Sequence, residues 1–114
     1  MKRPAAYYEV KARTVAALAN PVRLAILDEL SDGPRSAGEL VRALGVSQPL
    51  VSQHLTVLRA AGVVSRQREG AKRIYRLADP RIARACGLMG EIVLAVVDHE
   101  REAVAPVRAT AATR

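Results

Sequence analysis

The 114-residue chain has no tryptophan and no phenylalanine, and its only aromatic residues are three tyrosines. Alanine is abundant instead, a composition suited to close-packed helices and poorly suited to a deep aromatic ligand pocket. A single cysteine, Cys86, excludes a disulfide within the chain. Its plain reading is a small apolar residue of the interior; a redox sensor would want a resolving thiol, which only Cys86 of a second copy could supply. No apolar run approaches the roughly 18 to 20 residues needed to span a bilayer, and the opening MKRPAAYYEVK lacks the apolar stretch of a secretory signal. These absences predict a cytoplasmic protein with no membrane partner. There is also no Gly-rich phosphate loop, no Cys and His pair at telling spacing and no catalytic metal cluster, which argues against an enzyme and predicts no cofactor. No internal repeat is present, and the length suits one domain with a modest core that would gain from dimerisation.

What is there concentrates between residues 36 and 61, SAGELVRALGVSQPLVSQHLTVLRAA. Ser36 followed by Glu39 fits a capping box, and Leu40, Ala43 and Leu44 give the helix that follows an apolar stripe. Gly45 stops that helix. Ser47 is placed to cap a second one, with Pro49 in its first turn, where the missing N–H costs nothing. Val51, Leu55 and Leu58 recur at i, i+4 and i+7 and form its buried face, which leaves Gln48, Ser52, Gln53, Thr56 and His54 on or beside the outer one. The pattern is a helix-turn-helix, and the outer residues are of groove-reading type: Gln can pair with adenine, and Ser and Thr can bond base edges or phosphates. The competing reading is a helical hairpin that serves only as a packing unit.

Past Gly62 the segment VVSRQREGAKRIYRL reads as two strands around Glu69-Gly70-Ala71, a β-hairpin in which Ile74, Tyr75 and Leu77 supply the ties to the core. Of the net charge of +7, residues 62–81 hold six bases against two acids, whereas bases and acids balance from Ile82 onward. Arg66, Arg68, Lys72 and Arg73 are therefore candidates for phosphate contact, because each neutralised phosphate also releases condensed counterions. The alternative is an edge strand kept soluble by its charge.

Two helices precede this region, one from about Tyr7 to Leu18 and one capped by Asn20 with Pro21 at its first position. Val22, Ile26, Leu27 and Leu30 form the core face of the second, and Asp32-Gly33-Pro34 then breaks the chain. A last helix starts near Asp79-Pro80 and carries Ile82, Ala85, Cys86, Met89, Ile92, Val93, Val96 and Val97 at steps of three and four. So apolar a stripe needs a partner, and a twin helix across a two-fold axis would cover Ile82, Met89, Ile92, Val93 and Val96; packing wholly within the monomer is the other solution. The domain is expected to span residues 1–103, with APVRATAATR, residues 104–114 apart from its first, as a non-periodic disordered tail.

With these elements in order, the sequence resembles the ArsR/SmtB family of small winged-helix transcription regulators from about Val15 to Met89. LANPVRLAILDEL is similar to the family's first signature, GELVRALGVSQPLVSQHLTVLRAAGVV to its helix-turn-helix, and REGAKRIYRL to its wing. The resemblance implies a mainly α winged helix-turn-helix of order α-α-α-α-β-β-α, a homodimer formed through the first and last helices, and binding to a double-stranded DNA operator, by default as a repressor released by an effector. It also implies that Gln48, Ser52, Gln53 and His54 lie toward the major groove, with the wing arginines near the adjacent backbone or minor groove.

The family's metal positions do not carry over. Where it places cysteines before the acidic residue of the third helix, this chain has Ser36, Ala37 and Gly38 ahead of Glu39. In the last-helix site Asp79 is present, but Arg81, Ile92 and Ala95 stand where other ligands should be. A cation site cannot be built from Arg, Ile and Ala, so neither standard metal site is expected. An unconventional one near Asp98, His99, Glu100 and Glu102 could take nickel, zinc or cobalt; a polar, solvated helix end is the plainer reading. A chain without its own sensor could also borrow one from a partner protein, which makes a protein-interaction module the second functional class.

Overall fold

Three polar side chains set where the central helices begin. In the computed structural model, which describes residues 1–103, Asn20 Oδ1 accepts hydrogen bonds from the amides of Val22 and Arg23 at 2.9 and 3.1 Å. Ser36 and Glu39 form the complete capping box, with Glu39 N–H donating to Ser36 Oγ at 3.1 Å and Ser36 N–H to Glu39 Oε1 at 2.8 Å. Ser47 Oγ accepts from the amide of Leu50 at 3.3 Å. Each satisfies donors that a helix start leaves without a partner. The elements that result are α1 (Ala5–Leu18), α2 (Pro21–Ser31), β1 (Arg35–Ser36), α3 (Ala37–Leu44), α4 (Gln48–Ala60), β2 (Val64–Glu69), β3 (Lys72–Leu77) and α5 (Arg81–Ala103).

The order expected from the sequence is thus correct apart from β1, which pairs antiparallel with β3 and makes the hairpin a three-stranded sheet of order β1-β3-β2. Gly62 ends α4 with φ +79°, its N–H reaching Arg59 O while the Val63 N–H reaches Leu58 O. This is a Schellman closure, and it needs the left-handed conformation that glycine takes without strain. Gly70, with φ +64°, opens the two-residue loop between the paired residues Glu69 and Lys72, the position at which tight hairpins favour glycine.

The chain divides into two compact units, Met1–Ala83 and the part that starts at Arg84. In the first, Ile26, Leu27, Leu40, Val51, Leu55 and Leu58 are fully enclosed, and Leu30, Val63, Val64 and Tyr75 complete the core. Burying each such side chain contributes about 1.5–3 kcal/mol, so the core draws α2, α3, α4 and the sheet together. Ala43, expected in the α3 stripe, is exposed, and Val22 is half-buried. In the second unit the rest of α5 carries Leu88, Met89, Ile92, Val93, Leu94 and Val96 with roughly half or more of each exposed. The expected tail, residues 104–114, lies outside the described residues.

Candidate nucleic-acid interface

Gln48, Ser52, Gln53 and Thr56 are all exposed along one side of α4, because Val51, Leu55 and Leu58 take the opposite side into the core. Thr56 Oγ1 donates to Ser52 O at 3.0 Å, so toward a partner its hydroxyl is left to accept. His54 is different. The sequence reading sets it among the outer residues, but it is only 9% exposed, and its Nδ1 lies 3.2 Å from Arg23 Nη1. A guanidinium has no acceptor, so in this contact Arg23 is the donor and His54 Nδ1 the acceptor. Arg23 also donates from Nε to Ala17 O at 2.6 Å, joining the last turn of α1 to α4 through one side chain. His54 therefore packs inward, away from the exposed side of α4. The spacing contained the signal, since 51, 54, 55 and 58 share one helical face.

On the sheet, paired residues share a face. The register Val64↔Leu77, Arg66↔Tyr75 and Arg68↔Arg73 places Arg66, Arg68 and Arg73 on the face that also carries buried Val64 and Tyr75. The hairpin's one acid, Glu69, falls on the other face, where its Oε2 accepts from Arg76 Nη2 at 3.4 Å. The three arginines then separate along α4. Arg68 and Arg73, together with Lys72, line an open cleft of about 520 Å³ that also holds Gln48, Ser52 and Arg42. Arg66 lines a second open cleft, of about 510 Å³, with Thr56 and Arg59. Arg42 and Arg59 were not singled out in the sequence, because their charge is diluted in a count over residues 1–61; their place beside the outer face of the helix-turn-helix was the usable signal.

Glu39 is held below the ordinary carboxylate range, first by the hydrogen bond from the Ser36 amide and also by nearby Lys72 and Arg35. Asp79 is engaged by Arg81, whose Nη2 lies 2.7 Å from Oδ2 and whose amide donates to Oδ1 at 2.8 Å. Of the residues expected at a dimer interface, Met89, Ile92, Val93 and Val96 are exposed in the single chain and Ile82 is half-buried. Among the described residues no three His, Cys, Asp or Glu side chains converge as a metal site would require, and no helix is long and apolar enough to cross a membrane.

Residues 20–66 match the family model described as "Bacterial regulatory protein, arsR family". The chain is 51% identical over 86 residues to the HTH-type transcriptional repressor SmtB of Mycobacterium tuberculosis, a match that covers 75% of this chain and 58% of that repressor. It is 44% identical over 94 residues to the HTH-type transcriptional regulator CmtR of Mycobacterium bovis, covering 82% of this chain and 79% of the regulator. The solution structure of the homodimeric winged helix-turn-helix DNA-binding domain of Mb0332, also from Mycobacterium bovis, superposes with a TM-score of 0.77 at 34% identity, over 87% of this chain and 92% of that one.

Proposed function

The chain belongs to the arsR family of bacterial regulatory proteins, winged helix-turn-helix transcription regulators and not enzymes, and from that premise we propose that it is a homodimeric, sequence-specific repressor that works in the cytoplasm on a palindromic operator. The observation that carries this reading is the side of α4 that bears Gln48, Ser52, Gln53 and Thr56, flanked at both ends by clefts lined with wing arginines. Gln48, Ser52 and Gln53 read base edges, Thr56 accepts from a base or its neighbour, and Arg66, Arg68, Lys72 and Arg73 hold phosphates. Dimerisation through Ile82, Met89, Ile92, Val93 and Val96 sets the half-sites about one helical turn, or about 34 Å, apart. Residues 1–103 act as one DNA-binding and dimerising domain.

The regulator lacks the standard metal-sensing ligands. The engagement of Asp79 by Arg81 supports this, since a guanidinium already supplies the positive charge there. Its signal then comes from a partner protein, a small molecule or its own abundance. A gel-shift titration on DNA from the protein's own upstream region tests the reading, run without metal, then with nickel, zinc, cobalt and a chelator. Tight binding that weakens steeply with salt and is indifferent to metal is the expected result. A tenfold shift with one metal, about 1.4 kcal/mol of coupling, would instead implicate the His99 region, and absence of binding to any duplex would remove the function.

A further inference from the structure

We propose that the cleft between α3, the first turns of α4 and the hairpin seats a phosphate of the DNA backbone, and that Arg42 of α3 is its anchoring cation. The inference rests on the DNA-binding reading above and adds a third element, α3, to the contact surface. Four cationic side chains from three elements line this one cleft: Arg42, Arg68, Lys72 and Arg73. Like charges gathered in one cleft repel each other and hold an anion there.

The nearby acids do not neutralise them fully. Glu69 is bound by Arg76, and Glu39 accepts from the Ser36 amide while drawing on Lys72. The side chains of Arg42 and Arg73 make no hydrogen bond or ion pair among the described residues. The lining offers little apolar surface beyond Ala37, Ala71 and Tyr75, which disfavours an apolar effector. Gln48 and Ser52 stand in the wall of the same cleft, so a backbone lying in it carries its base edges past the two side chains that open α4. A phosphodiester strand meets both conditions.

Arg42 has a positional advantage over the other three. It stands on α3, fixed at one end by the capping box and at the other by the turn at Gly45, whereas Arg68, Lys72 and Arg73 flank the loop of a hairpin. A cation on a pinned helix sets register more sharply than one near a loop. Its guanidinium lies back over the first turn of α3, with Nη1 3.6 Å from the point a Cβ would occupy on Gly38.

The test compares wild type, Arg42→Ala and Arg42→Lys on the upstream duplex and on an unrelated duplex, each across a salt series. With Arg42→Ala, affinity for both duplexes falls by the same factor, and the slope of log K against log salt shrinks by about one. Arg42→Lys restores the slope. Because Arg42 is exposed and unbonded, the alanine variant is expected to melt like wild type. An alanine variant that melts normally and keeps the wild-type slope overturns the phosphate seat, whether or not its affinity changes. Wild-type protein that binds neither duplex overturns the DNA-binding reading itself, so the two failures are distinct.

Discussion

Between Pro21 and Leu77 the chain buries ten apolar side chains, whereas α1 and the described part of α5 contain no buried residue at all. Both regions are rich in apolar residues, so composition does not explain the contrast. In the middle, periods of three and four on α2, α3 and α4 meet the alternation of the sheet, and one chain closes the core by itself. On the end helices Val10 and Val15, and then Met89, Ile92, Val93 and Val96, are left about half exposed. Exposed apolar residues of this kind on α5 are what the proposed dimer would cover. Under the function proposed above, stability and assembly would be written in different parts of the chain, which the following variants test.

The sharpest way to break that contrast is Leu58→Ala in the middle. Leu58 is fully buried, and truncation should cost about 2–5 kcal/mol, seen as a large loss in the denaturation midpoint at unchanged oligomeric state in the protein that remains folded. A glutamate at Ile92 should do the reverse. Monomer stability changes by about 0.5 kcal/mol or less, as for other exposed sites, while sedimentation reports monomers and tight operator binding is lost. Dimers that persist would mean the α5 stripe is not the interface. The cap of α3 gives a modest effect confined to stability: Ser36→Ala should cost about 1 kcal/mol without altering assembly. The partner in that cap adds a pH signature. Glu39 titrates lower in the fold than in the unfolded chain, so its contribution is complete above the ordinary glutamate range and is lost as the pH falls through the lowered folded value. Wild type should lose this increment in acid, and a Glu39→Gln variant should show a flatter acid limb.

Much of this architecture was legible because its signals are local. Asn20, Ser36 and Ser47 cap the helices that their spacing announces, and Gly62 and Gly70 stand where the backbone turns left-handed. What escaped depends on distance along the chain. β1 is two residues whose partners, Ile74 and Tyr75, lie almost forty positions later, and no period of two can show in so short a strand. His54 shares the face of Val51, Leu55 and Leu58, but its partner Arg23 sits on another helix, so the bond that reconciles a polar ring with burial leaves no local signal. Arg42 escaped for the same reason, since its significance comes from the wing residues folded against it.

The two-residue strand β1 ties the hairpin to α3, the helix that follows β1 in the chain. Ser36 is at once its last residue and the cap of α3, and through β1 it is paired to Ile74 in the middle strand of the hairpin. The hairpin and the helix-turn-helix are thus joined through one residue, Ser36. For the regulator proposed above, a signal that tilts the wing would therefore also be felt at the first turn of α3.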